Sequence, residues 1–353
     1  MVTAAEARTL IDEFHSKQVP HQRQVTAQKL VEASLADAIL DRKATVLAGP
    51  SGVGKTNLVD LIELDRLARL QAAGEPGRYH FLRVTALAPT NRRYRIQGLY
   101  TSILDEADEV ARDRKRLVIH RQYRGPSDAI QQAAINVLRH RRPYVFCVDE
   151  IQHMVYGNDE SELRSHFDNL KVLADKTNVP MLLVGTPEVL NVALCSSQLG
   201  RRLRYVEFLP YRPIDLADHF EAVLYFIAQL PIGVSFDATS RADDFFELSV
   251  GSVGLLKEWF ETVLREGLDE GKTAVTWGDF EVAAMGRGRL QKLAEDYREA
   301  ERLLAALGGQ RASLRRTLGL DPDDGGDSPA PSKPRGGPRR PGQRVLRRDP
   351  VGT

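Results

Sequence analysis

The sequence predicts an α/β protein: a parallel sheet, then a smaller all-helical domain, then a disordered basic tail. Three observations lead there. Short apolar and β-branched runs alternate with longer amphipathic segments up to residue 210, the pattern of strand–helix–strand units that builds parallel sheets. Beyond Pro210 the strand-like runs stop and helical spacing takes over. From about Leu320 the chain is crowded with Pro and Gly, and such a composition buries too little surface to offset the entropy of ordering.

The elements follow in order. Ala7, Leu10, Ile11 and Phe14 recur at helical spacing and are broken off at Val19, Pro20 and His21. A second helix runs through Leu30, Val31, Leu35 and Ile39 and stops at Asp41 and Arg42. Strands are expected at 44–48, 80–84, 144–148, 181–184 and 205–208, with helices at 56–71, 96–110, 127–139, 160–175 and 188–194. Five more helices, at 214–230, 241–248, 255–268, 277–285 and 290–307, make up the second domain. The implied organisation is a helical extension over 1–24, an α/β domain over 25–210, a helical domain over 211–307 and the tail over 308–353, with no internal repeat.

Composition narrows the class. The 353 residues are 42% hydrophobic and 27% charged, with 49 Lys and Arg against 48 Asp and Glu, which excludes a wholly disordered chain. No run approaches 18 uninterrupted apolar residues, and Glu6, Arg8, Asp12 and Glu13 crowd the start, so neither a membrane span nor a secretory leader is expected. The expected compartment is the cytoplasm. Cys147 and Cys195, the only two cysteines, are too few for a disulfide framework or a cysteine metal site and read as small buried hydrophobes. Residues 333–353 hold seven basic residues and one acid, a net of +6 that leaves −5 on the rest. Such a tail either attracts polyanions such as nucleic acid or solubilises the chain.

Four segments carry chemistry. Gly49-Pro50-Ser51-Gly52-Val53-Gly54-Lys55-Thr56 satisfies G-x-x-x-x-G-K-[ST], follows the strand-like Thr45-Val46-Leu47 and opens a helix, which is the order a phosphate loop needs. Its glycines let backbone amides face a β-phosphate, Lys55 neutralises β- and γ-oxygens, and Thr56 offers a hydroxyl to Mg²⁺. A second buried run, 144–148, ends in Asp149-Glu150, where the crevice of an open α/β sheet holds its ligand. There Asp149 reaches the metal through water, and Glu150 orients and deprotonates an attacking water. A third run ends at Thr186, placed to touch the γ-phosphate or that water. Ahead of the last strand, Arg201 and Arg202 head a basic cluster suited to stabilising γ-phosphate charge on a neighbouring subunit.

Together these residues resemble the AAA+ ATPases, and within them the TniB/TnsC family of transposition regulators. The likeness spans roughly residues 11–284. It is carried by the phosphate loop, by Val148-Asp149-Glu150-Ile151-Gln152-His153, by Val184-Gly185-Thr186-Pro187-Glu188, by Gln198-Leu199-Gly200-Arg201-Arg202, by Leu230-Pro231-Ile232, and by Gly251-Ser252-Val253-Gly254-Leu255-Leu256 at the start of a lid helix. The resemblance implies a AAA+ nucleotide-binding domain with a helical lid, and ATP and Mg²⁺ as cofactors. By the same resemblance, Asp149 is the water-mediated metal carboxylate, Glu150 the base, Thr186 the sensor and Arg202 the arginine finger, with Arg201 in reserve. Many AAA+ lids carry an arginine where this chain has Gly254, and Lys257 is the nearest substitute.

Members of that family form ATP-dependent rings or helical filaments on duplex DNA with little sequence preference and present it to a DDE transposase. The implied partners are therefore non-specific duplex, a transposase, a target-selection adaptor protein and further copies of the chain. Binding without sequence preference calls for cations aimed at phosphates. Arg92, Arg93 and Arg95, in a loop suited to lining a pore, are the favoured DNA contacts. The stretch holding Arg112, Arg114, Lys115, Arg116, His120, Arg121 and Arg124 is a second candidate. Arg139, Arg141 and Arg142 enter their strand at the end away from the phosphate loop, which argues against a catalytic role. The rival readings are a AAA+ ATPase of another system, such as helicase loading or secretion, and a nucleotide-set oligomeric scaffold without a DNA role.

Overall fold

Five short strands form the centre: β1 (Ala44–Ala48), β2 (Phe81–Thr85), β3 (Val145–Asp149), β4 (Met181–Gly185) and β5 (Leu203–Glu207). All pair in parallel, in the order β2-β3-β4-β1-β5. β1, β3 and β4 are buried at every position, which is why they read as continuous apolar runs rather than as alternating ones. The computed structural model describes residues 3–73, 81–89, 93–112, 126–156, 159–190 and 200–308, together with 315, 317 and 318.

Alternate strand residues face opposite layers. On one side Phe146, Val148 and Leu183 pack with Leu99 and Leu104 of α4 (Ile96–Arg112), Ile135 and Leu138 of α5 (Ser127–Arg141) and Leu173 of α6 (Glu160–Thr177). On the other, Val145, Cys147, Leu182 and Val184 meet Val31 and Leu35 of α2 (Gln22–Asp41) and Leu58 and Ile62 of α3 (Lys55–Ala72). Cys147 is fully buried, in keeping with its reading as a small buried hydrophobe, and burial raises its thiol pKa. Three helices turn into strands through a non-glycine residue in the left-handed region: Arg42, Arg142 and Asn178.

Past β5 come α7 (Leu216–Gln229), α8 (Ala242–Ser249), α9 (Val253–Asp269), α10 (Trp277–Ala283) and α11 (Arg287–Gly308). Their core is aromatic, with Phe245, Trp259, Phe260, Trp277 and Phe280 in mutual ring contact. α1 (Ala4–Ser16), started by a Thr3–Glu6 capping box, joins this core, and its Phe14 ring lies 6.1 Å from that of Phe226. The N-terminal helix therefore packs with the helical region rather than with the sheet it precedes in sequence.

Two expectations need correction. The segment beyond Pro210 is not free of strand: β6 (Gly233–Val234) and β7 (Ala274–Val275) form a two-residue parallel ladder. The helix expected at 188–194 begins as a short 3-10 turn, Pro187–Leu190, and its remainder lies outside the described residues. The described residues up to Gly308 form one compact unit. The basic Pro/Gly run from 320 onward and Cys195 also lie outside the described residues.

Candidate functional site

The carboxyl ends of β3, β4 and β1 are neighbours, so the segments that follow them are brought to one rim of the sheet. After β1 the chain turns through Gly49–Gly54 and enters α3 at Lys55. Gly52 (φ 79°) and Gly54 (φ 98°) adopt backbone angles that side chains resist, and a Cβ at Gly49 would stand 2.2 Å from the Phe208 carbonyl oxygen. The first turn of α3 carries no acidic residue, so the positive end of its dipole is left for an anion. Lys55 donates from Nζ to the carbonyls of Gly49 (2.7 Å) and Pro50 (2.8 Å). Burial lowers its pKa to about 8, against the opposing pull of Glu150, Asp149 and Glu188.

Asp149, the last residue of β3, is buried, and each of its carboxylate oxygens accepts one hydrogen bond. One carboxylate oxygen accepts from the Glu150 N–H (2.9 Å), and the other accepts from Arg83 Nη2 (2.6 Å). Arg83 lies in β2, paired in register with Cys147, and its Nη1 reaches Asp60 of α3 at 2.6 Å. Burial alone would lower the Arg83 pKa, but the hydrogen bond and charge of Asp149, helped by Asp60, raise it instead. Glu150 adopts a left-handed backbone, φ 54°. Its carboxylate accepts from Gln152 Nε2, and Gln152 Oε1 accepts from the Thr186 N–H (3.2 Å). The Thr186 hydroxyl is buried and has no partner among the described residues.

The helical region closes the other side. Ser252, the N-cap of α9, donates to Gly52 O at 2.8 Å, and Tyr297 of α11 donates to Ser51 O at 3.1 Å. Gly254 is packed so closely that a Cβ there would meet Gly52 O at 2.1 Å, which explains why no arginine stands at this position. Lys257, considered as the substitute cation, borders the cleft, yet its ammonium donates to the carbonyls of His15 (2.6 Å) and Lys17 (3.2 Å) at the end of α1. Its role in this structure is to tie α1 to α9.

Between these walls lies a cleft of about 570 Å³ that Lys55, Thr56, Glu150 and Thr186 all border. An adjoining, mainly apolar pocket is lined by Val19, His21, Gln24, Phe208 and Phe226. Gln24 is 4% exposed and its Oε1 lacks a partner among the described residues. His21 is held neutral, its pKa brought to about 4 chiefly by burial, with the Arg23 charge acting in the same direction. Two orphaned buried acceptors, a cationic loop and a neighbouring apolar pocket fit a phosphorylated ligand with a flat polar base. Among the described residues no group of three or more His, Cys, Asp or Glu stands ready to hold a metal alone. Thr56 with Asp149 instead fits Mg²⁺, which binds through one or two protein oxygens plus phosphates.

The remaining candidates lie elsewhere. Arg201 and Arg202 are exposed, and Arg202 O accepts from Ala44 N, at the start of β1. The phosphate loop leaves the other end of that strand, so neither arginine reaches the cleft of its own chain. Arg93 and Arg95 are exposed on either side of buried Tyr94, and Arg93 meets Glu162 at 3.2 Å. Arg92 lies outside the described residues, as do 113–125, and of Arg112 only the backbone is described. Among the described residues no helix is long and apolar enough to cross a membrane. Arg83, Gln152 as a link, and the Ser252–Gly52 bond are features that the motifs did not reveal.

Sheet order, loop positions and helical lid give this chain the AAA+ P-loop fold. The Aeropyrum pernix ORC1 protein, solved in complex with DNA, matches with a TM-score of 0.53 at 15% identity, over 89% of this chain and 85% of that one. The Aeropyrum pernix ORC2 protein, solved as ADPNP–ADP complexes, matches with a TM-score of 0.50 at 16% identity, over 88% and 82%. Identities this low establish a common fold and nothing finer. Residues 11–212 match the family described as "Bacterial TniB protein", and the chain belongs to that family. No curated protein matches the sequence.

Proposed function

We propose that this protein binds and hydrolyses ATP in the cleft at the rim of its sheet, assembles on duplex DNA in its ATP-bound form, and presents target sites to a partner transposase. The observation that carries the reading is the convergence of Lys55, Thr56, Glu150 and Thr186, from three adjacent strands, on one cleft beside buried Asp149. Lys55 exchanges the carbonyls of its own loop for β- and γ-phosphate oxygens, while the amides of Gly49 to Gly54 and the start of α3 hold the β-phosphate. Thr56 and Asp149 would hold Mg²⁺. Magnesium, when bound, neutralises the charge that develops on the transferring phosphoryl group. Glu150 orients the attacking water and takes its proton, and Thr186 holds the γ-phosphate side through its unpartnered hydroxyl.

Arg202, with Arg201 beside it, serves the cleft of a neighbouring copy, so that turnover depends on assembly. In this reading residues 25–210 are the nucleotide-binding body and 211–307 its lid, and Arg93 and Arg95, with Arg92, contact DNA phosphates. A DNA complex of the ORC1 protein, which shares the fold, supports a DNA role, and membership of the TniB family supports transposition as its setting. A target-selection adaptor completes the set of partners.

Electron microscopy of the protein with non-specific duplex, with and without Mg-ATP, tests this reading. Salt-sensitive filaments or rings on DNA that need ATP and persist in Glu150→Gln support it. Assemblies indifferent to DNA point to the scaffold reading, and the absence of any ATP response overturns the assignment.

A further inference from the structure

Glu150 and Thr186 come from different strands, yet one buried side chain touches both. Gln152 lies in the single 3-10 turn after β3 and is 6% exposed. Its Nε2 donates to the Glu150 carboxylate, and its Oε1 accepts from the Thr186 N–H at 3.2 Å. The space it occupies is kept open by β4: a Cβ on Gly185 would stand 2.6 Å from Gln152 Oε1 and 2.7 Å from the Ile151 side chain. The backbone of Glu150 is constrained as well. It sits at φ 54°, a left-handed region that side chains resist, and its N–H donates to the Asp149 carboxylate at 2.9 Å.

We infer that Gln152 is a positioning residue for hydrolysis, fixing the Glu150 carboxylate and tying its orientation to the end of β4 at Thr186. The inference rests on the reading of Glu150 as base given above. A primary carboxamide suits the task because it donates at one end and accepts at the other within one rigid plane. Donation to one carboxylate oxygen holds the Glu150 rotamer and leaves the second oxygen to take a proton. Acceptance from Thr186 N–H means that a shift of the backbone carrying the Thr186 hydroxyl moves the amide, and with it the base. Occupancy of the γ-phosphate side and readiness of the base are thereby joined through two hydrogen bonds. Gln152 itself does not touch the reacting atoms in this scheme.

The test compares full-length wild type, Gln152→Leu, Gln152→Glu, Glu150→Gln and the Glu150→Gln/Gln152→Leu double variant, reading kcat for ATP with duplex present and Mg-ATP affinity separately. Both Gln152 variants should lower kcat by about tenfold or more while Mg-ATP affinity stays within about twofold. The double variant should be no slower than Glu150→Gln alone, since Gln152 acts through that carboxylate. Gln152→Glu has nearly the same shape and still accepts from Thr186, so it carries the test if Gln152→Leu fails to fold. Wild-type kcat in Gln152→Glu, or a further loss in the double variant, overturns the inference alone. Wild-type turnover in Glu150→Gln removes the base assignment and this inference with it.

Discussion

Arg83 donates to Asp149 across adjacent strands at 2.6 Å, so the carboxylate proposed to serve the metal is also the counter-ion of a half-buried guanidinium. Removing one member of such a pair strands the other charge. Arg83→Met should therefore destabilise the fold by about 3 kcal/mol, nearly all through Asp149, because the other partner, Asp60, is half exposed and its ion pair is worth little. Arg83→Lys keeps the charge but loses the fork, and should fall between wild type and Met. Urea denaturation at constant m-value measures both. A midpoint for Arg83→Met equal to that of wild type would rule out a structural pairing.

Gly254 seats the first turn of α9 against the phosphate loop, and the Ser252–Gly52 bond depends on that approach. Gly254→Ala puts a methyl 2.1 Å from a backbone oxygen, so one of the two segments has to move. The expected result is a loss of about 1–3 kcal/mol in stability and weaker Mg-ATP binding, read by denaturation and by calorimetry. Larger side chains should be worse in order of size. If Gly254→Ala binds nucleotide as wild type does, the lid is not seated through this contact.

The sheet was legible chiefly through β1, β3 and β4, buried apolar runs that end where the candidate chemistry begins, at Ala48, Asp149 and Gly185. The phosphate loop, the acidic pair and Thr186 followed from where those runs stop. What stayed hidden depends on strand order. Asp149 lies 66 residues from Arg83, and nothing in either segment announces that β2 and β3 are neighbours. One signal was present: a lone arginine inside the apolar strand Phe81–Thr85 needs a carboxylate. Gln152 was visible in its motif, but its link to Thr186 requires β4 beside β3 and a glycine at 185. Lys257 looked like a phosphate cation because the packing of α1 on α9 is a long-range fact, and the ladder of β6 with β7 is too short to show a period of two.

Arg202 stands at the amino end of the sheet, away from its own cleft, so its proposed contribution to hydrolysis has to come in trans. Arg202→Ala should lower turnover of the assembled protein by about 100-fold or more and leave Mg-ATP binding to the single chain unchanged. Mixing Arg202→Ala with Glu150→Gln should restore part of the rate, because some interfaces then combine an intact base with an intact arginine. Absence of any recovery, in mixtures that co-assemble by native mass measurement, assigns the finger to another residue, with Arg201 next in line.

His219 is fully buried in the helical region, with Nε2 3.0 Å from Ser249 Oγ and the rings of Tyr211 and Phe246 against it. Burial brings its pKa to about 4, so the folded protein keeps it neutral where the unfolded chain, near 6.5, takes up a proton. Its contribution to stability is therefore complete above pH 6.5 and is lost as the pH falls toward 4. Between pH 7 and 5 this one residue should cost about 2 kcal/mol, and His21, also brought to about 4, adds a similar slope. His219→Gln keeps a partner for Ser249 and does not titrate, so it should roughly halve the dependence on pH over that range. Urea midpoints at pH 7, 6 and 5 provide the measurement. Parallel curves for wild type and His219→Gln would mean that the imidazole takes up its proton as readily in the folded state as in the unfolded chain, with water reaching what is here a buried aromatic core.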